Sequence, residues 1–347
     1  MSDIATVDKN FKIETAISKS DIKFYDVRVS PFKVYGVFYE NGKFRRMPQA
    51  AAMAVTEGVH FLHANTAGGR VRFRTNSPYI AINTKMPFVG KMSHFALCGS
   101  SGFDLYVGGV YKKSYVPPFD IVDGYEGTVE LGSEEMREIE INFPLYSEVS
   151  ELYIGLSESA EVLEPIPYRI EKPIVFYGSS ITQGGCASRP GTCYQGFLSR
   201  WLDADYINLG FSGNARAEDE MTNYISGIDM SVFVCDYDHN SPNKEHLLRT
   251  HEKMFLKVRE ANPTLPIVLV SMPSFKLESH ELERLEIIRR TYENALARGD
   301  DNVYLIDGRD LMRIAGNEGT VDGCHPTDLG FFSMASGMYD VLKKILE

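Results

Sequence analysis

The spacing of apolar positions changes partway along the chain. In the first part Val71 and Phe73 alternate with Arg70, Arg72 and Arg74. Ile139, Ile141 and Phe143 alternate with Glu138, Glu140 and Asn142 in the same way. A period of two marks strands with one buried face. Turn formers separate such runs: Ala67-Gly68-Gly69, Asn76-Ser77-Pro78, Gly108-Gly109 and Gly132-Ser133. Many short strands at near-regular spacing predict an all-β sandwich or jelly roll over residues 1–165. One short helix is expected in this part, near 48–55.

From residue 166 to 347 the pattern differs. Short apolar runs at 174–176, 206–209, 232–235, 267–270 and 303–306 are too brief for helices and read as buried parallel strands. Between and after them lie helical stripes. Tyr194, Phe197, Leu198, Trp201 and Leu202 form one; Leu247, Leu248, His251, Phe255 and Val258 form another. Leu285, Ile288, Tyr292 and Leu296 form a third, and Leu329, Phe332, Met338, Leu342 and Ile345 the last. Alternating strands and helices predict a flavodoxin-like parallel sheet in a three-layer α/β/α domain. Pro165, Pro167 and Pro173 stiffen the junction between the two parts.

Composition narrows the function. Hydrophobic residues make up 44% and charged residues 24% of the 347, close to the globular average. No apolar run approaches the ~20 residues that span a bilayer. The first residues show no apolar core of a leader peptide, so a cytoplasmic location is expected. The net charge is -11 and no Lys/Arg cluster stands out, which argues against nucleic acid and anionic membranes as partners. A small-molecule substrate that is neutral or weakly charged fits better. The five cysteines include no C-x-x-C pair. Free thiols are expected, although Cys186 and Cys193 share a loop and could pair.

Ligands of an open α/β sheet bind beyond the carboxyl ends of the strands. The first strand runs into Gly178-Ser179-Ser180-Ile181-Thr182, and the second into Asn208-Leu209-Gly210-Phe211-Ser212-Gly213. The third is followed by Asp236-Tyr237-Asp238-His239-Asn240, and Asp322-Gly323-Cys324-His325 precedes the last helix. Together they suggest nucleophilic catalysis. Ser180 is the nucleophile, His325 its base, and Asp322 the group that orients the imidazole. The N–H groups of Ser180 and Gly213 and the Asn240 amide are candidates for an oxyanion hole. Gln183, Arg189 and His239 are candidate substrate-binding residues. An unperturbed His325 would titrate near ~6.5 and activity would rise through that value.

These four stretches, in this order, resemble the four sequence blocks of the SGNH (GDSL) hydrolases. Ser180 stands at the nucleophile position, Gly213 at the oxyanion glycine, Asn240 at the third-block asparagine, and Asp322-x-x-His325 in the last block. Gly102-Phe103-Asp104-Leu105-Tyr106 resembles the Gly-x-Asp-Leu-Tyr signature of a β domain that precedes some SGNH esterases. There are two departures: Ser179 stands where an acidic residue is usual, and Asp238-His239-Asn240-Ser241 where Gly-x-Asn-Asp is usual. The resemblance implies a carbohydrate esterase that removes acetyl or other short acyl groups, needs no metal or other cofactor, and forms homo-oligomers.

Other readings use fewer of these residues. A flavodoxin-like FMN or phosphate binder would use the Ser/Thr-rich turn but leave Asp322 and His325 idle. A non-catalytic carbohydrate-binding protein could stack sugars on Tyr106, Tyr111 and Tyr115, though aromatics in a sandwich are more often core. Asp236 and Asp238 alone are weak support for a metal site.

Overall fold

The computed structural model describes residues 7, 8 and 16–347. Its first part is a sandwich of two antiparallel sheets. One sheet orders the strands Ile22–Asp26, Glu151–Ser157, Tyr79–Lys85 and Gly124–Glu130. The other orders Val162–Leu163, Arg70–Thr75, Arg137–Asn142, Phe103–Val107 and Val110–Tyr115, with Lys33–Tyr35 also on Arg70–Thr75. Val71, Phe73, Leu105, Ile139 and Ile141 of this sheet meet Ile80, Ile82, Ile154 and Leu156 of its partner in one core.

The second part is a five-stranded parallel sheet. Its strand order is Ala204–Gly210, Ile170–Gly178, Val232–Asp236, Ile267–Val270 and Val303–Ile306, so the first strand in sequence lies inside. Apolar clusters cover both faces. Tyr194–Leu202 and Asp328–Leu346 pack on one, and Asp219–Ser226, Lys244–Ala261 and Ser279–Ala297 on the other. Among the described residues no helix is long and apolar enough to cross a membrane.

Three elements depart from the expectation. The helical segment near 48–55 continues, after a break at Thr56, as a second helix, Glu57–Leu62. Ala52, Val59 and Leu62 of this pair are buried in the core of the parallel sheet, not in the sandwich. Helix Asp219–Ser226 carries only a short apolar stripe and was not anticipated. In the last helix Phe331, Met334 and Ala335 face inward, whereas Leu329 and Phe332 are exposed. An apolar run broader than one stripe does not say which of its edges turns inward.

The alternating strands of the sandwich bury part of their polar face as well as their apolar one. Val71 and Phe73 point into the sandwich, while Arg70 points at the parallel sheet, where it is 1% exposed and ion-paired with Asp205. The same holds for Asp104, between the core residues Phe103 and Leu105. Its carboxylate is fully buried. It accepts from Asn142 Nδ2 (2.9 Å), Arg189 Nη1 (2.9 Å) and the Gly191 N–H (2.8 Å). Asp104 thus ties the sandwich to the loop that follows the Ser180 turn. Its register partner Asn142 supplies one of the donors.

A buried charge with its partners removed is strongly destabilising, and so is the reverse. Asp104→Ala strands the Arg189 guanidinium and two further donors. It is expected to lower unfolding free energy by about 3–5 kcal/mol in urea denaturation. A loss within the ~0.5 kcal/mol of an ordinary surface substitution would contradict the clamp.

Candidate active site

The turn after strand Ile170–Gly178 is tight for steric reasons. A Cβ on Gly178 would lie 2.1 Å from Thr182 Oγ1, and one on Gly210 would lie 2.1 Å from the Gln183 nitrogen. Only glycines let the two strand ends close onto the short helix Ser180–Gln183. Ser179 caps that helix, its Oγ accepting from the Ile181 N–H. Gly184 ends it in the left-handed region, at φ 100°. Ser180 is the first helical residue, so its own N–H has no acceptor within the helix.

His325 comes from the far end of the chain. Its Nε2 lies 2.9 Å from Ser180 Oγ, and its Nδ1 lies 2.7 Å from Asp322 Oδ2. Asp322 also shapes the loop, as its Oδ1 accepts from the N–H groups of Cys324 (3.0 Å) and His325 (2.7 Å). One carboxylate thus fixes both the backbone and the ring of the residue it orients. Burial opposes the charge on Asp322, but these donors outweigh it and bring the carboxyl down to about 2.

Two further candidate N–H donors follow the second and third strands of the parallel sheet. Gly213 sits at φ 70°, where a glycine is at ease, and nothing lies within 4 Å of the place a Cβ would take. Asn240 Oδ1 accepts from the Ala215 N–H at 3.4 Å, which leaves Nδ2 as the amide's free donor. Behind them a buried amide network sets the geometry. Asn208 Nδ2 donates to the Thr182 carbonyl, and its Oδ1 accepts from the Gly210 N–H.

Gln183 belongs to this network and not to the substrate surface. It is completely buried. Its Nε2 donates to Asn65 and the Leu145 carbonyl, and its Oε1 accepts from the Ser212 N–H. The expectation that it lines a pocket is therefore corrected: a buried amide with all these partners has none left for a ligand. Arg189 is likewise occupied, paired with Asp104 and lying over the Tyr111 ring at 3.7 Å. His239 Nε2 contacts Cys324 Sγ at 3.0 Å, which places it beside the His325 loop. Tyr106 and Tyr115 are buried, at 3% and 2% exposure, and so form no sugar platform. Asp236 accepts from Thr182 and Tyr194, and Asp238 is ion-paired with Arg284, so both carboxylates already have protein partners.

Sequence reasoning missed contributions to the site from the first part of the chain. Tyr146 donates its hydroxyl to the Ser180 carbonyl at 3.2 Å. His94 is exposed and its ring stands 5.8 Å from that of His325. Neither lies in a motif or periodic segment that could have marked it. All five cysteines are free, so Cys186 and Cys193 are not paired.

A model of the GDSL-like lipase/acylhydrolase family matches residues 171–344. The chain belongs to that family. A second model, of the GxDLY region at the N-terminus of SGNH-hydrolase-type esterases, matches residues 22–162. The protein is thus a carboxylic ester hydrolase of the GDSL type.

Solved structures share the fold. A protein from Bacteroides ovatus assigned to the GDSL-like lipases is 28% identical, with a TM-score of 0.84 over 94% of this chain and 98% of that one. The salicylyl-acyltransferase SsfX3 of a tetracycline biosynthetic pathway is similar in fold at 19% identity, TM-score 0.78 and the same coverages. An acetyl xylan esterase from the rumen bacterium Butyrivibrio proteoclasticus is similar at 13% identity and TM-score 0.60, over 94% of this chain and 99% of that one. No curated protein matches the chain.

The electrostatics of this GDSL site depart from an isolated imidazole. Burial opposes ionisation of Cys324, but His239 and His325 outweigh it and bring the thiol down to about 6. Its neighbours raise His325 to about 9, Cys324 first and Asp322 next, against its own desolvation. A base must be neutral to accept a proton, so a raised pKa moves the onset of activity upward. The kcat/KM profile is expected to rise through the alkaline range, not near 6.5. Cys324→Ser removes the largest raising contribution and should move that rise to lower pH. An unchanged profile would contradict the coupling.

Proposed function

We propose that the chain removes acetyl or other short acyl groups from a carbohydrate hydroxyl through an acyl-Ser180 intermediate. The observation that carries the serine mechanism is the continuous line of hydrogen bonds from Asp322 through His325 to Ser180. Ser180 Oγ attacks the ester carbonyl carbon while His325 Nε2 takes its proton. Asp322 holds Nδ1–H and stabilises the imidazolium. The oxyanion meets the N–H groups of Ser180 and Gly213 and the Asn240 amide. The imidazolium then protonates the departing sugar oxygen, and water repeats the attack on the acyl-serine.

Three observations support the substrate class. Neighbours in fold include the acetyl xylan esterase and family two carbohydrate esterases from Clostridium thermocellum and Cellvibrio japonicus. The groups around His325, namely His94, Cys186, Asp322 and Cys324, suit a polar alcohol better than an aliphatic chain. The sequence has no long apolar insertion that would serve as a lid over a lipid.

The test is acetate release from a panel of acetylated mono- and oligosaccharides, with Ser180→Ala as the blank. Wild type should release acetate, and Ser180→Ala and His325→Ala should each fall by at least about 10³ in turnover. Asn240→Ala should lose about 10²–10³ in kcat with little change in KM. Near-normal turnover in Ser180→Ala would overturn the mechanism. Faster turnover of long-chain esters than of acetyl sugars would overturn the substrate class.

A further inference from the structure

Donor atoms of His94, Cys186 and His325 lie within 4.8 Å of one another. They come from three separate places: His94 from the first part of the chain, Cys186 from the loop after the Ser180 helix, and His325 from the loop before the last helix. None of the motifs discussed above accounts for His94 or Cys186. We propose that these three side chains bind a single zinc ion that switches the hydrolase off.

The geometry is close to what zinc needs. Zinc binds imidazole nitrogen at about 2.0–2.1 Å and thiolate sulfur at about 2.3 Å, usually as a tetrahedron. Ligand atoms at such corners stand roughly 3.5 Å apart. The three donors need to approach by about an ångström, which side-chain rotation can supply, since His94 is exposed and Cys186 and His325 are part-exposed. Two imidazoles and a thiol select a borderline-soft ion over magnesium or calcium.

The backbone supports the arrangement independently. Cys186 is held at φ 75°, a region in which non-glycine residues are uncommon. It follows two glycines, and a Cβ on Gly185 would lie 3.4 Å from His325 Cδ2. The loop is thus packed against the catalytic imidazole, with a thiol at a position where glycine would be less strained. A strained non-glycine backbone beside an active site is a pointer to function. Cys324 forms a second triangle with Asp322 and His325. In that one His325 Nδ1 and Asp322 are already joined to each other, and Cys324 faces His239.

Inhibition follows from the nitrogen involved. Nδ1 of His325 is taken by Asp322, so a metal must use Nε2. That is the lone pair that receives the Ser180 proton, and it cannot serve both. On binding, the Cys186 thiol releases its proton to solvent and the thiolate ligates the ion. The fourth position is open to water. The inhibitory consequence rests on the proposed role of His325, whereas the binding itself does not.

The experiment titrates the 347-residue chain with Zn²⁺ against a chromophoric chelator, and separately with Co²⁺ as a spectroscopic probe. One ion per chain is expected, with a thiolate-to-cobalt charge-transfer band. His94→Ala and Cys186→Ser should each weaken binding at least about 10-fold, since even outer partners of metal sites command that much. Cys186→Ser should abolish the band and Cys324→Ser should keep it. Zn²⁺ should inhibit ester hydrolysis over the same concentration range and EDTA should reverse it. Inhibition in each variant is compared with that variant's own metal-free rate. Absence of saturable binding, wild-type affinity in either variant, or a band that follows Cys324 would overturn the site. A metal-free wild type without esterase activity would instead overturn the functional reading and leave the chelator titration to decide the metal site.

Discussion

The 2.9 Å contact between Ser180 Oγ and His325 Nε2 joins residues 145 positions apart. A hydroxyl is a poor nucleophile unless a base stands at hydrogen-bond distance, and small misplacements are costly. Much of the surrounding structure serves that distance. On the serine side, Gly178 and Gly210 allow strand ends and helix to close without room for a Cβ. On the histidine side, Asp322 folds the loop with one oxygen and orients the ring with the other. Between them, the Asn208 and Gln183 amides stitch the second strand end to the serine helix.

The site is not the property of the parallel sheet alone. Arg46 is buried under the second strand, donating to the carbonyls of Asn208, Gly210 and Leu62. Arg70 reaches Asp205 at the start of that strand. Asp104 holds the loop at 189–191, and Tyr146 holds the Ser180 carbonyl. Charged side chains buried between two layers need partners, because a lone buried charge is far costlier than a pair. Here the partners lie across the junction, which fixes how the sandwich sits against the site and brings His94 to the catalytic ring.

Most of the frame was legible in the sequence, and the reasons are specific. All five parallel strands coincide with short apolar runs, because a strand buried on both faces leaves little room for polar residues. The Ser180, Asp322 and His325 stretches stood out because each follows a strand or precedes a helix with turn-forming neighbours. What was hidden depends on packing between distant segments. The alternation of Arg70 with Val71 reads as a solvent face, yet Arg70 on that face is buried against the parallel sheet. Gln183 looked like a pocket residue because it follows the nucleophile, but the end of the second strand covers it. The perturbation of His325 comes from Cys324, which no periodicity or motif singles out.

The most direct test of the account is where a fluorophosphonate attaches. This reagent forms a stable adduct with an activated serine, and peptide mass spectrometry locates it. The account predicts one adduct per chain, on Ser180, with labelling largely lost in His325→Ala. An adduct on another residue, or equal labelling with and without His325, would contradict the claim that this imidazole activates this hydroxyl.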